Sequence, residues 1–424
     1  MQIKNHCSTL APYRPDAYLY PWFSLLLKLT TFCAIVLVGA NTSLAQSSLA
    51  KFQSTLREKT SFDDTDFAAV EQGQTAVRLL PMLNKREVAV CGLLSLQAPA
   101  EEFLRSFREN MIRKNNSAVL EIGRFSDQPT LDDLQALNIE DRDIEDLKDC
   151  VVGDCKLKLS APMIGRLRSE VNWQAPDYRM QAAQLIKVLL LEYVRDYRTR
   201  GDAALIRYND KEKEVRLADE QRDLMSASGY VNDLVGDLAQ NFPHVPKAEL
   251  RVVEDAIVWS KIKFGLKPVT VVNHIVIYSL ARDAGPQVLI TSKQIYANHY
   301  FNSSLALTAF VNIPGATSRS YLVYENRSRA DGLEGAFSKF KRGIVENRAV
   351  ESLKALLEHS KASFSTRALG QNEAVASDRS GSWRQWTVGG VHLFLWLFVL
   401  TALVGLLVMS NYGWKGSIFG GARQ

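Results

Sequence analysis

Two periodicities divide this chain. REVAVCGLLSLQ (86–97) alternates, which predicts a strand with Val88, Val90, Gly92, Leu94 and Leu96 on one face. Pro99 opens a helix over 100–110, where Phe103, Leu104 and Phe107 recur at helical spacing and Glu101 and Glu102 occupy the dipole-favoured first turn. A second strand follows at 118–125. Residues 161–240 are helical in pattern. The clearest helix spans 177–200, with Met180, Ala183, Ile186, Leu190, Tyr193, Val194 and Tyr197 as one stripe and Gly201 as its terminator. Shorter helices are predicted at 217–227 and 231–240, before Pro243 and Pro246 break the pattern. Five β-rich runs then follow at 255–264, 269–279, 287–297, 305–313 and 320–327, joined by short turns, so an antiparallel meander is the economical topology. A long helix over 335–360 would turn Phe337, Phe340, Ile344, Val350, Leu353 and Leu357 inward.

Both ends read differently from this body. LTTFCAIVLVGA (29–40) is an apolar run preceded by Lys28 and followed by Ser43-Leu44-Ala45, the layout of a secretory signal cleaved after Ala45. The alternative is an uncleaved anchor over 20–40, which would bury Lys28 at a cost. Residues 46–84 read as a short helix and linker. Residues 361–387 are polar, rich in Ser and Ala, and read as a stalk. The stretch 388–409 carries no Asp, Glu, Lys or Arg. At about 1.5 Å per residue it reaches about 33 Å, the thickness of a hydrocarbon core. Trp383, Trp386, Tyr412 and Trp414 flank it as interfacial anchors do. The expectation is a single-pass membrane protein with its main domain on the extracytoplasmic side and residues 410–424 in the cytoplasm.

A net charge of +5 over 424 residues, with no dense Lys/Arg run, argues against a nucleic-acid partner. Cys7 and Cys33 fall in the signal; Cys150 and Cys155 flank a Gly-Asp turn and predict a disulfide in an oxidising compartment, while Cys91 reads as a small strand residue. Between Asp132 and Asp149 eight acids accompany two bases, but no calcium-loop spacing occurs, so a solvated acidic face is expected. No complete nucleophile, zinc, P-loop, dinucleotide or kinase motif is present; Ser260 and Ser338 each open an isolated S-x-x-K. No cofactor or metal is expected. Asn273, His274, His299, Arg327, Arg329 and Asp331 form the polar content of the strand region. Counting back from the turn sets His274 opposite Lys293 and keeps the two histidines apart. Arg329 and Asp331 are expected to pair at the strand-to-helix corner.

A strand, a helix, further strands and a meander closed by a long C-terminal helix resemble the helix-grip fold of the START and polyketide-cyclase-like superfamily, over 85–360 with a helical insertion at 161–246. HIVIY…SKQIYANHYF…YLVYENRSRADGL is also similar to a family of uncharacterised exported bacterial proteins. The expected class is therefore α+β, an antiparallel sheet gripping the helix, plus one transmembrane helix. The resemblance implies a cavity between sheet and helix holding a hydrophobic ligand such as a lipid. Leu307, Ala309 and Val311, or Leu322 and Tyr324, would face the helix. His274, Asn273, Tyr324, Phe337, Phe340 and Ile344 are the candidate ligand contacts, orienting rather than reacting. An envelope interaction module with a filled core and an enzyme on a hydrophobic substrate are the alternatives.

Overall fold

The computed structural model describes residues 49–110, 118–229, 250–263, 267–280, 287–313, 320–333 and 338–377. The expected signal at 1–45, the expected helix at 231–240, Phe337 and the expected span at 388–409 lie outside them. Among the described residues no helix is long and apolar enough to cross a membrane.

The protein is α+β, built on one eight-stranded sheet whose neighbouring strands are all antiparallel. Helix α1 (49–59) and α2 (Asp64–Glu71) lead into β1 (Ala76–Leu79) and β2 (Glu87–Leu96). Helix α3 (Ala100–Asn110) crosses to β3 (Val119–Arg124) at the far edge. An insertion follows: α4 (Asp141–Leu147), α5 (Ala161–Glu170), α6 (Tyr178–Arg200), a β4–β5 hairpin (Arg207–Tyr208, Val215–Arg216) and α7 (Leu217–Ala227). The meander β6 (Leu250–Ile262), β7 (Val269–Leu280), β8 (Gln287–Ala297), β9 (Phe301–Asn312) and β10 (Ser320–Ala330) then returns to β2, giving the order β1-β2-β10-β9-β8-β7-β6-β3. Helix α8 (Ser338–Ser377) closes the chain's described part.

Antiparallel sheets often leave one face to water; here helices cover both. Helices α3 and α8 cover one face, packing Phe103, Phe107, Val345, Ala349 and Leu353 on Val90, Leu94, Ile275 and Phe310. On the other face, α1 and α2 bring Phe52, Leu56, Phe67 and Val70 onto Cys91, Leu93, Leu307 and Val323. The insertion covers the rest of that face, with Ile164, Leu190 and Val194 over Trp259, Val272 and Tyr296. This is why β2 and β10 are buried along their whole length. Cys150 and Cys155 form a disulfide with Cα atoms 4.5 Å apart, tying the loop after α4.

Several expectations change. Residues 46–84 contain two helices and an edge strand rather than a linker, because their apolar side chains cover the sheet. Helix α8 runs on to Ser377 through the expected stalk. Its inward positions are Val345, Ala349, Leu353, Leu356, Ser360 and Phe364, whereas Phe340 is 65% exposed and Ile344 half-buried. The reason is close approach at Gly92: a Cβ there would meet Leu357 Cδ1 at 2.3 Å and Leu353 Cδ2 at 3.2 Å, so the helix presents its small and leucine face to a strand without a side chain. Leu322 and Tyr324 face α8, while Leu307, Ala309 and Val311 face the opposite layer.

Candidate functional site

The largest described space lies on the face opposite α8. It measures about 730 Å³, opens partly to solvent, and lies between α7 on one side and β7, β8 and β9 on the other. Strand alternation turns His274, Val276 and Tyr278 of β7, Leu289, Thr291 and Lys293 of β8, and Leu305 and Leu307 of β9 towards it. Helix α7 forms here because Leu217, Gln221 and Leu224 recur at i, i+4 and i+7 and are buried, while Asp219 and Glu220 suit its first turn. Its Ala218, Gln221, Met225 and Ser228 close the chamber.

One end of the chamber is polar. His274 and Lys293 are cross-strand partners, the register read from the sequence. The Tyr197 hydroxyl lies 2.8 Å from His274 Nδ1, and Asp255 Oδ1 lies 3.2 Å from Nε2. A neutral ring protonated at Nε2 satisfies both contacts, receiving the tyrosine proton at Nδ1 and donating to the carboxylate. His274 holds the Asp255 carboxyl below its ordinary value, and burial pushes the Tyr197 hydroxyl up. Lys293 pairs with Asp202 and stands over the Tyr197 ring, 5.4 Å from its centroid. Arg222 pairs with Asp219. Both ring nitrogens of His274 are thus hydrogen-bonded within the protein.

At the other end the wall backs onto a buried ion network. Glu87, Glu325, Arg327 and Arg329 are almost fully excluded from water. Arg327 Nη1 donates to Glu87 Oε1 at 2.8 Å and Arg327 Nε to Glu325 Oε1, while Arg329 Nη1 reaches Glu220 at 2.7 Å and Asp223 at 3.1 Å. Ser228, on the chamber wall, donates to Glu325 Oε1 at 2.6 Å. Arg329 and Asp331 therefore do not pair with each other. They diverge because Arg329 faces α7, whereas Asp331 takes Lys158 at 3.0 Å and Lys211 at 2.8 Å.

His299 belongs to a separate cluster. Its Nε2 lies 3.0 Å from both carboxylate oxygens of Asp143, which also accepts from Lys267 at 2.9 Å and from Asn298 at 3.2 Å. Asp143 is buried, so the acidic stretch is not solvated throughout; the ring and the ammonium of the sheet draw this one carboxylate in. Burial pushes its carboxyl up, but His299 and Lys267 outweigh burial and hold it below its ordinary value.

The candidate ligand contacts do not share one space. His274 lines the chamber. Asn273 and Tyr324 are buried on the α8 face, Phe340 points to solvent, Ile344 is half-buried and Phe337 lies outside the described residues. The sequence predicts the helix over 217–227 and sets Lys293 opposite His274, but it assigns neither Lys293 nor Gln221 to a site. The available signal was Gln221 itself, an amide at a core position of an amphipathic helix. Among the described residues no group of three or more His, Cys, Asp or Glu could hold a metal ion. Comparisons with protein-family models, with curated proteins and with solved structures find no match for this chain.

Proposed function

We propose that this chain is an exported, membrane-tethered domain that binds a hydrophobic ligand such as a membrane lipid without transforming it, in the chamber between α7 and β7–β9. The observation that carries this reading is the chamber itself: about 730 Å³, with Val276, Leu289, Leu305 and Leu307 on its sheet wall and Asp202, Arg222, His274 and Lys293 among its polar lining. Small-molecule sites commonly measure about 300–1,000 Å³ and combine an apolar wall with placed polar groups that orient the ligand.

The helix-grip likeness is supported by strand order, since β2 lies beside β10 and the meander leads from β3 and β6 back to it under a terminal helix. Tethering through 388–409 rests on that segment's hydropathy. A C-terminal alkaline phosphatase fusion should be inactive; an active one would reverse the proposed orientation.

The ligand-binding reading is tested by releasing the full chain from membranes into a mild nanodisc environment and identifying what remains bound by native mass spectrometry. One stoichiometric apolar molecule is expected. A folded chain carrying none would favour the second reading, an interaction module with a filled core, to which the close packing of Leu353 and Leu357 over Gly92 already lends weight.

A further inference from the structure

The chamber's unmet hydrogen-bonding groups indicate what kind of head-group it takes. Gln221 is 2% exposed and lies on the chamber wall. Its Nε2 donates to the backbone carbonyls of Gln294 at 2.8 Å and Ser304 at 3.0 Å. Two carbonyl acceptors fix the amide's orientation, because the flipped amide would set oxygen against oxygen. Oε1 is left as an acceptor, and no donor among the described residues reaches it.

A second buried acceptor lies about two helical turns further along, behind Ser228. Glu325 is 1% exposed; its Oε1 takes the Ser228 hydroxyl and Arg327 Nε, while its Oε2 has no partner. Of the chamber's cations, Lys293 pairs with Asp202 on the same wall, and Arg222 with Asp219. Buried acceptors without donors are costly, and a ligand supplying the donor recovers that cost.

Resting on the chamber reading above, we infer that the ligand's polar end is a hydrogen-bond donor, a hydroxyl or an amine, seated against Gln221 at the α7 end, with its apolar body along Val276, Leu289 and Leu307. A carboxylate or phosphate head at Gln221 would set acceptor against acceptor and is disfavoured.

The test compares octan-1-ol with its isomer heptyl methyl ether, which has the same number of heavy atoms and no donor. Octylamine forms a third arm. Binding to the full chain in nanodiscs is measured by calorimetry, with empty nanodiscs subtracted. The alcohol should bind about tenfold more tightly than the ether, the worth of one buried hydrogen bond. A still tighter amine would place the contact at Glu325, and an amine no tighter than the alcohol would place it at Gln221. In Gln221→Leu the preference for alcohol over ether should vanish while ether binding persists. That variant also loses two bonds to the sheet, so the wild-type comparison stands by itself. Equal affinity of the wild type for alcohol and ether would overturn the inference and leave the chamber reading standing. Absence of binding by all three would overturn both.

Discussion

Gly92→Ala measures how tightly α8 grips the sheet. The added Cβ would lie 2.3 Å from Leu357 Cδ1, 3.2 Å from Leu353 Cδ2 and 3.4 Å from Leu353 Cγ. Carbon atoms prefer about 3.5–4.0 Å, so the leucine has to retreat by more than about 1 Å. Leu353 and Leu357 are buried in the main core and have no free volume to retreat into. Overpacking of this kind costs about 1–3 kcal/mol. Alanine would recover about 0.5–1 kcal/mol of the backbone entropy that glycine loses in a strand, so the net destabilisation should fall at about 0–2.5 kcal/mol. Urea unfolding followed by tryptophan fluorescence reads it as a lower midpoint at unchanged slope. Truncating Leu357 to Ala costs about 2–5 kcal/mol alone. In the double variant the methyl group fits the vacated space, so the two effects should fall short of their sum by at least about 1 kcal/mol. Strict additivity, or a stabilising Gly92→Ala, would show that α8 does not press on β2 and would reopen the space beneath it.

Arg327→Met should be severe, on the order of 3–5 kcal/mol by thermal or urea unfolding, because Glu87 and Glu325 are buried and lose their guanidinium partner. A loss under about 1 kcal/mol would mean that water reaches the network. The Asp143 and Asp255 carboxyls are held below their ordinary values in the folded chain, so their contribution is present above the unfolded value near 3.8 and is lost as pH falls through the folded one. The unfolding midpoint should therefore drop below about pH 4, and Asp143→Asn should shallow that decline; a flat profile from pH 6 to about pH 3 would contradict it. Reducing the Cys150–Cys155 disulfide should cost about 2 kcal/mol, since the closed loop is short. Peptide mapping that finds both thiols free would remove that contribution.

Much of the sheet was legible because its strands follow a two-residue period with β-branched residues. The expected 287–297 run is β8, and 269–279 differs from β7 by one residue. Helix α6 is equally clear, with Leu190, Tyr193, Val194 and Tyr197 of its apolar stripe buried and Gly201 at φ +57°, although Met180 at the start of the stripe is exposed. The polar end of β10 was not. Arg327 was taken as the strand's end, yet the strand continues to Ala330 because Glu87 and Glu220, distant in sequence, neutralise Arg327 and Arg329. The rotation of α8 was missed for a related reason. Large aromatics such as Phe340 set the expected inward face, whereas small Ala349 and Gly92 decide where helix and strand approach closely. The chamber depends on α7 crossing the meander, a long-range contact that no local period encodes.

The central claim is that a ligand occupies the space between α7 and β7–β9. Leu289→Trp/Leu307→Trp puts two indoles into that space from adjacent strands, whereas Gly92→Ala alters only the opposite face. Native mass spectrometry of the full chain in nanodiscs should find the bound apolar molecule in the wild type and in Gly92→Ala, and not in the double tryptophan variant, whose unfolding transition stays cooperative. The same ligand retained in the double tryptophan variant, or lost only in Gly92→Ala, would contradict the account.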